Sequence, residues 1–428
     1  MRTSFFDWLM TVGVEFCCGA IVTILLASAA LADDAPEPRV ARVKMELRSG
    51  DNVTDIVEQG DLLTVVGEQG PAYVVLTFEG RRGLVQKVNA VKLAEAVEVY
   101  DQLLKDKPQE GRIYNQRAAA WWARGDRQRA LADFDKAIQL GYTQSHAFTS
   151  RGMFQAAAGN IDAALADFGQ AIAKDPKDEV PRINRAALYL TQNKVDEALG
   201  DYDAAVSLNP KKAGNYQQRA VAHKLKGNRD AALADFQKAL ELEPKNPAAL
   251  MGRGLIYFAT DQHEKAVADF SAVIELSPQS ATAYNNRGFN RQLMGDEAGA
   301  LADYEKALQL SPDYPLCLQN KAWLLATSPT DKLRDGKRAI QAALKACELN
   351  KYQDPGDLKA LAAAYAEAGQ FAEAIGWQEK AMKLLPAEEQ AEEQKVLEQL
   401  LDKKPLRETY DKPAVATASG RSNGQSPD

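Results

Sequence analysis

The chain has 428 residues, of which 46% are hydrophobic, 26% charged and only 7% aromatic, and its formal net charge is −7. That balance belongs to a folded protein and favours close-packed helices over a β-rich fold. It speaks against a nucleic-acid partner, which would want a basic face.

Residues 1–32 are expected to be a secretory signal peptide rather than part of the fold. Arg2 precedes an apolar run from Gly19 to Leu31, and Ala30-Leu31-Ala32 is a small-x-small cleavage site. The alternative is an uncleaved N-terminal anchor, but the run is shorter than the roughly 20 residues of a membrane span. Cleavage after Ala32 would leave a mature chain with no transmembrane span, exported to a periplasmic or other extracytoplasmic compartment. Its two remaining cysteines, Cys317 and Cys347, are too few for a disulfide scaffold. They fall at the start of one predicted helix and the end of its antiparallel partner, so a disulfide and two separate thiols are both open.

Residues 40–93 have a different texture. Short β-branched runs, Leu62-Leu63-Thr64-Val65-Val66 and Tyr73-Val74-Val75-Leu76-Thr77-Phe78, alternate with glycine turns. They predict a meander of antiparallel strands, closed into a small β-barrel because closure removes exposed edges. Leu47-Arg48-Ser49-Gly50, Glu58-Gln59-Gly60-Asp61 and Glu79-Gly80-Arg81-Arg82-Gly83-Leu84-Val85 resemble the turns of bacterial SH3-like (SH3b) domains, with Leu84 where a tryptophan is usual. Members of that family that bind cell-wall peptides lean on exposed aromatics. Here Tyr73 and Phe78 are the aromatics of the module, and a docking or capping role is the preferred expectation.

The rest is periodic. Ala130, Ala164, Ala198, Ala232, Ala266 and Ala300 are spaced by 34 residues, with an aromatic four places later at Phe134, Phe168, Tyr202, Phe236, Phe270 and Tyr304. Pro176, Pro210, Pro244, Pro278 and Pro312 close successive units. Gly125, Gly159, Gly227 and Gly295 end the first helix of a pair, where a positive φ is favoured. A fixed period of this length predicts a stack of helical hairpins, each unable to bury its apolar face alone.

These positions resemble the tetratricopeptide repeat (TPR). The resemblance implies a mostly α fold, a right-handed superhelical TPR solenoid preceded by the small barrel. Residues 94–110 are expected to be a lone capping helix, and 111–389 about eight repeats with an insertion near 328–336. Residues 390–410 are expected to be a C-terminal capping helix, and 411–428 a disordered tail. The last two units resemble a terminal cassette of exported bacterial TPR proteins. The third unit departs from the family at Arg182, where Tyr114, Phe148, Tyr216 and Tyr284 stand in others, and a looser stack is expected there.

Catalysis has little to stand on. His146, His223 and His263 fall at different places in their repeats, no Cys-x-x-Cys exists, and no glycine-rich loop ends in Lys-Ser/Thr. No catalytic residue, metal site or cofactor is expected, and the chain is read as a non-enzyme. Arg117, Arg151, Arg185, Arg219, Arg253 and Arg287 recur every 34 residues, as do Asp133, Asp167, Asp201, Asp235, Asp269 and Asp303. A ladder of both signs neutralises itself, so it is read as structural.

In the TPR family the first helices line the concave surface. Mapped onto this chain, the inner positions include Trp122, Met153, Leu190, Leu225, Met251, Phe258, Phe289, Leu293 and Trp323. Charged residues there are few: Arg112, Lys224, Lys359 and Glu367. The Lys, Arg and Asn set with which family members clamp a peptide's terminal carboxylate is not expected. The predicted function is a scaffold binding a peptide or protein segment in an apolar groove. The alternative is an envelope-binding module, in which the barrel contacts cell wall and the repeats recruit a partner.

Overall fold

The computed structural model describes residues 38–49, 52–77 and 80–410. The expected signal peptide and the expected tail lie outside the described residues, as do Gly50, Phe78 and Glu79 of the SH3-like motifs. Among the described residues no helix is long and apolar enough to cross a membrane. The chain divides into two compact units that meet in sequence at Gly227 and Asn228.

The N-terminal unit opens with seven strands: β1 (Arg39–Ala41), β2 (Met45–Ser49), β3 (Asn52–Val57), β4 (Leu62–Gln69), β5 (Ala72–Leu76), β6 (Arg82–Gln86) and β7 (Ala90–Lys92). They pair antiparallel in the order β3-β2-β6-β5-β4-β1-β7. Register shifts at Leu47/Arg48 and Val65/Gly67 bend the sheet. Each strand places one residue in a single core, Ala41, Leu47, Val57, Leu63, Val75, Val85 and Ala90. Since β3 and β7 end the strand order yet share that core, the sheet curls around it. Gly83 is required where β6 crosses β2, because a Cβ there would lie 2.4 Å from the Leu47 side chain.

The β module is joined to the helices by α1 (Val97–Asp106). Val40 of β1 enters one cluster with Val97, Tyr100 and Leu104 of α1 and with Ile113. The buried Tyr100 hydroxyl donates to the Gly60 carbonyl at 3.0 Å. Three helical hairpins follow: α2 (Gly111–Ala123) with α3 (Arg127–Gln139), α4 (Ser145–Ala157) with α5 (Ile161–Lys174), and α6 (Val180–Thr191) with α7 (Val195–Leu208). The unit ends on α8 (Ala213–Leu225). Phe134 and Phe168 are fully buried, and Gly152 leaves room for the Phe168 ring, which a Cβ would meet at 2.8 Å.

Gly125 and Gly159 turn the first two hairpins with φ of 88° and 82°. The third turns on Asn193 at φ 58°, a left-handed conformation that asparagine tolerates better than most residues. At Arg182 the residue type departs from the repeat, but one bond of the repeat is kept. Tyr114 and Tyr216 each donate a hydroxyl proton to the proline carbonyl six residues back, at 3.2 Å. Arg182 reaches the equivalent Pro176 carbonyl with Nη2 at 3.1 Å. A long guanidinium can span the distance a phenol spans, so the bond survives the change of residue type.

The C-terminal unit begins with α9 (Arg229–Leu242). Its hairpins are α10 (Pro247–Ala259) with α11 (His263–Leu276), α12 (Ala281–Leu293) with α13 (Glu297–Leu310), α14 (Pro315–Thr327) with α15 (Gly336–Leu349), and α16 (Pro355–Glu367) with α17 (Phe371–Leu384). Helix α18 (Ala387–Leu401) packs on α17 and is followed by an extended segment to Tyr410. The residues between α14 and α15 hold a 3-10 turn at Asp331–Leu333. Arg334 ties that loop down, donating to the Ser328 carbonyl at 2.8 Å and to Glu367 at 3.0 Å. Cys317 and Cys347 are buried free thiols in separate clusters, and burial pushes each up to about 12.

Candidate functional site: an apolar and asparagine-lined channel

The arginine–aspartate ladder comes first, because it sets where the helices lie. In the N-terminal unit Arg117 holds Asp133 with two parallel bonds of 2.7 and 2.8 Å, and Arg151 and Arg185 hold Asp167 and Asp201 in the same way. In the C-terminal unit Arg253 and Arg287 do so with Asp269 and Asp303. Each of these pairs joins the first helix of a hairpin to the second.

The remaining guanidinium nitrogen reaches back one hairpin. Arg117 meets Asp101 of α1 at 2.6 Å, Arg151 meets Asp135 at 2.7 Å and Arg219 meets Asp203 at 2.8 Å. Arg253 meets Gln237 and Arg287 meets Ser271. Helix α1 therefore serves the ladder as a second helix without a first. Hydrogen bonds donated to the aspartates raise the pKa values of Arg117, Arg151, Arg185, Arg253 and Arg287 above their usual range, Arg117 through Asp133 foremost. The ladder is engaged internally.

The inner positions are not one exposed stripe. Leu190 is buried, packed with Ile183 and Tyr202, and Leu225 borders the same cluster. Trp122 meets Phe154 edge-on at 5.7 Å, and Met153 packs beside Phe168. In the C-terminal unit four of the nine come together: Phe258 with Met251, Phe289 and Leu293. The Phe258 and Phe289 rings lie 5.6 Å apart and nearly perpendicular. Phe258 is 8% exposed and forms the floor, whereas Phe289 is half-buried. The ninth, Trp323, donates its indole N–H to Glu408 at 2.7 Å.

Beside these rings the structure assembles asparagines that hydrophobic patterning does not single out. A cavity of about 20 Å³, room for roughly one water, is lined by Leu255, Phe258, Phe270, Phe289 and Leu316 together with Asn285, Asn286, Asn290 and Asn320. Asn320 donates to Asn285 at 3.1 Å, Asn290 donates to the Asn286 carbonyl at 2.8 Å, and His263 Nδ1 lies 2.9 Å from Asn290 Oδ1. The signal was present: Asn286 and Asn320 occupy the same repeat position in successive units. Of the charged inner residues, Lys359 is paired with Glu393 and Glu367 with Arg334 and Arg407. Asn285, Asn290 and Asn320 are buried and bonded within the protein, which leaves the half-buried Asn286 amide and the half-buried Phe289 ring at the mouth of the cavity. Such a surface can grip an apolar side chain and hydrogen-bond a peptide backbone.

In the β module, Tyr73 has the Arg39 guanidinium and the Lys87 ammonium each 5.2 Å from its ring centre. Its face is engaged by the module's own cations.

Helical hairpins repeating every 34 residues and stacked through alanine, aromatic and Arg–Asp contacts define a helical-repeat protein. Family models described as tetratricopeptide repeat match residues 88–143 and 219–281, 155–218, and 281–314. The chain belongs to the tetratricopeptide-repeat family, a mostly helical solenoid preceded by an antiparallel β sheet.

Among solved structures it is similar to a tetratricopeptide repeat protein from Parabacteroides merdae, at 21% identity and a TM-score of 0.46 over 62% of this chain and 98% of that one. It is also similar to YrrB, described as a TPR protein with an unusual peptide-binding site, at 21% identity and a TM-score of 0.38 over 44% and 97%. A third is MamA from Desulfovibrio magneticus RS-1, at 20% identity and a TM-score of 0.37 over 40% and 97%. No curated protein matches the chain.

Proposed function

We propose that the chain is a non-catalytic protein–protein interaction scaffold that takes a peptide or protein segment along the inner faces of its first helices, anchored at Phe258 and Phe289. Tetratricopeptide-repeat proteins bind protein or peptide partners, and this chain has their architecture. The observation that carries the site is the meeting of two perpendicular aromatic rings with four asparagine side chains around one cavity. An incoming apolar side chain would cover the half-buried Phe289 ring, while the half-buried Asn286 amide pairs with the segment's backbone.

Crosslinking in cells identifies the partner, and calorimetry with that partner tests the anchor. A buried aromatic anchor contributes about 2 kcal/mol or more, so Phe258→Ala with Phe289→Ala should weaken binding roughly 30-fold. Normal binding by a folded double variant would defeat the proposal. The β module is proposed as a docking or capping module and residues 1–32 as an export signal. Sequencing of the secreted form should then begin at Asp33.

A further inference from the structure

Beyond α18 the chain continues as an extended segment seated on the repeats as a ligand would be. From Leu406 to Tyr410 the side chains alternate, with Leu406, Glu408 and Tyr410 turned inward and Arg407 and Thr409 exposed. That period of two belongs to an extended peptide read on one side. Leu406 enters an apolar cluster with Leu325, Val396 and Leu400. The Glu408 backbone N–H donates to the Thr327 carbonyl at 2.8 Å. Its carboxylate accepts from Trp323 Nε1 at 2.7 Å, Gln292 Nε2 at 3.1 Å and Thr327 Oγ1 at 3.4 Å. The Tyr410 hydroxyl donates to Glu297 at 3.1 Å.

The hold is made mostly by side chains. Among the described residues, Glu408 to Thr327 is the main-chain bond that ties residues 405–410 to the repeats. The three donors to the Glu408 carboxylate are uncharged. Burial, with the Glu297 carboxylate adding to it, pushes Glu408 above the usual carboxylate range, while the donor bonds act the other way. Beside it, Arg407 ties the segment to the repeats, its Nη1 2.7 Å from the Glu367 carboxylate and 3.4 Å from the Ala326 carbonyl.

We propose that the C-terminal ends of α12 and α14 form a reader site for extended Leu-x-Glu-x-Tyr segments, closed in cis by residues 406–410 and opened when a partner segment of the same pattern takes their place. A tethered segment competes at an effective concentration on the order of millimolar. The cis occupant therefore sets a threshold that only a tight or multivalent partner crosses. The proposal does not rest on what binds at Phe258 and Phe289.

The test uses a fluorescent synthetic peptide with the sequence of residues 404–412, titrated by anisotropy into two full-length chains. One is unchanged. The other carries Leu406→Ala, Glu408→Ala and Tyr410→Ala. The substituted chain should bind the peptide at least about tenfold more tightly, because its site is vacated. Adding Trp323→Phe to it should cost about tenfold, the worth of a hydrogen bond to a charged group. In the unchanged chain, the amide of Glu408 should exchange hydrogen far faster than the core amides of α14.

Equal affinity of the two chains, or no binding by a folded substituted chain, overturns the proposal. So does failure of the substituted chain to fold, or exchange at Glu408 as slow as in α14, since either makes the segment a fixed brace. The probe is this chain's own segment, so its failure says nothing of the partner at Phe258 and Phe289.

Discussion

Asp269 is 5% exposed and accepts two parallel hydrogen bonds from Arg253, at 2.9 and 2.7 Å. Removing it strands a guanidinium whose third contact, to Gln237, is uncharged. Asp269→Ala should therefore destabilise the protein by about 1–3 kcal/mol, the cost of leaving a buried partner unsatisfied. Urea denaturation measures the shift. Partner binding at Phe258 should survive, since the ladder engages helices and not the channel. The recurrence of both residues was plain in the sequence. What spacing alone did not say is that the arginines, Arg185 excepted, also reach the preceding second helix. That needs the second helices of neighbouring hairpins to lie on either side of one side chain, which is a matter of packing.

At the scale of elements, the hairpins were legible because alanine, aromatic and turn positions repeat together. The turns at Asn193 and Asp261 were not, since the period has glycine there and these residues reach φ of 58° and 55° without it. The link between the β module and α1 is an apolar cluster around Val40 that contains one buried phenol. Tyr100 donates to Gly60, whose own φ of 88° turns that carbonyl toward the helix. Tyr100→Phe keeps the ring and removes the donor. It should cost about 1 kcal/mol, the usual net worth of one hydrogen bond. Faster hydrogen exchange at residues 57–63, with the helical amides beyond α1 unaffected, is the expected signature.

For the whole molecule, stability in a repeat array is close to a sum of units and their interfaces, so a charge buried in one unit is felt locally. Asp357 of α16 is fully buried. It accepts from Asn350 at 2.7 Å, and its own N–H bonds to the Asp354 carboxylate. Burial foremost, then repulsion from Asp354, raises its pKa to about 7 from 3.8. A carboxyl raised on folding contributes stability that is fully present below its unfolded pKa and lost as pH rises through the folded one. The C-terminal unit should thus lose roughly 1–3 kcal/mol between pH 5 and pH 8 from this group. Thermal melts at the two pH values measure it, and Asp357→Asn should flatten the difference. Glu408, also raised, acts in the same direction on the extended segment.

The sequence by itself determined the repeat, its period, the residues that stack it and the β module ahead of it. These rest on neighbours within a hairpin, such as the 16 residues from Arg253 to Asp269, and a local contact repeated many times leaves a local pattern. Only the tertiary structure decided which inner residues form a channel and which are floor, and that the end of the chain lies on earlier repeats. Asn320 meets Asn285 across 35 residues, Trp323 meets Glu408 across 85 and Tyr410 meets Glu297 across 113. Each of those contacts occurs once. A contact made once between distant segments has no period to announce it, and it exists only when the stack has brought its two ends together.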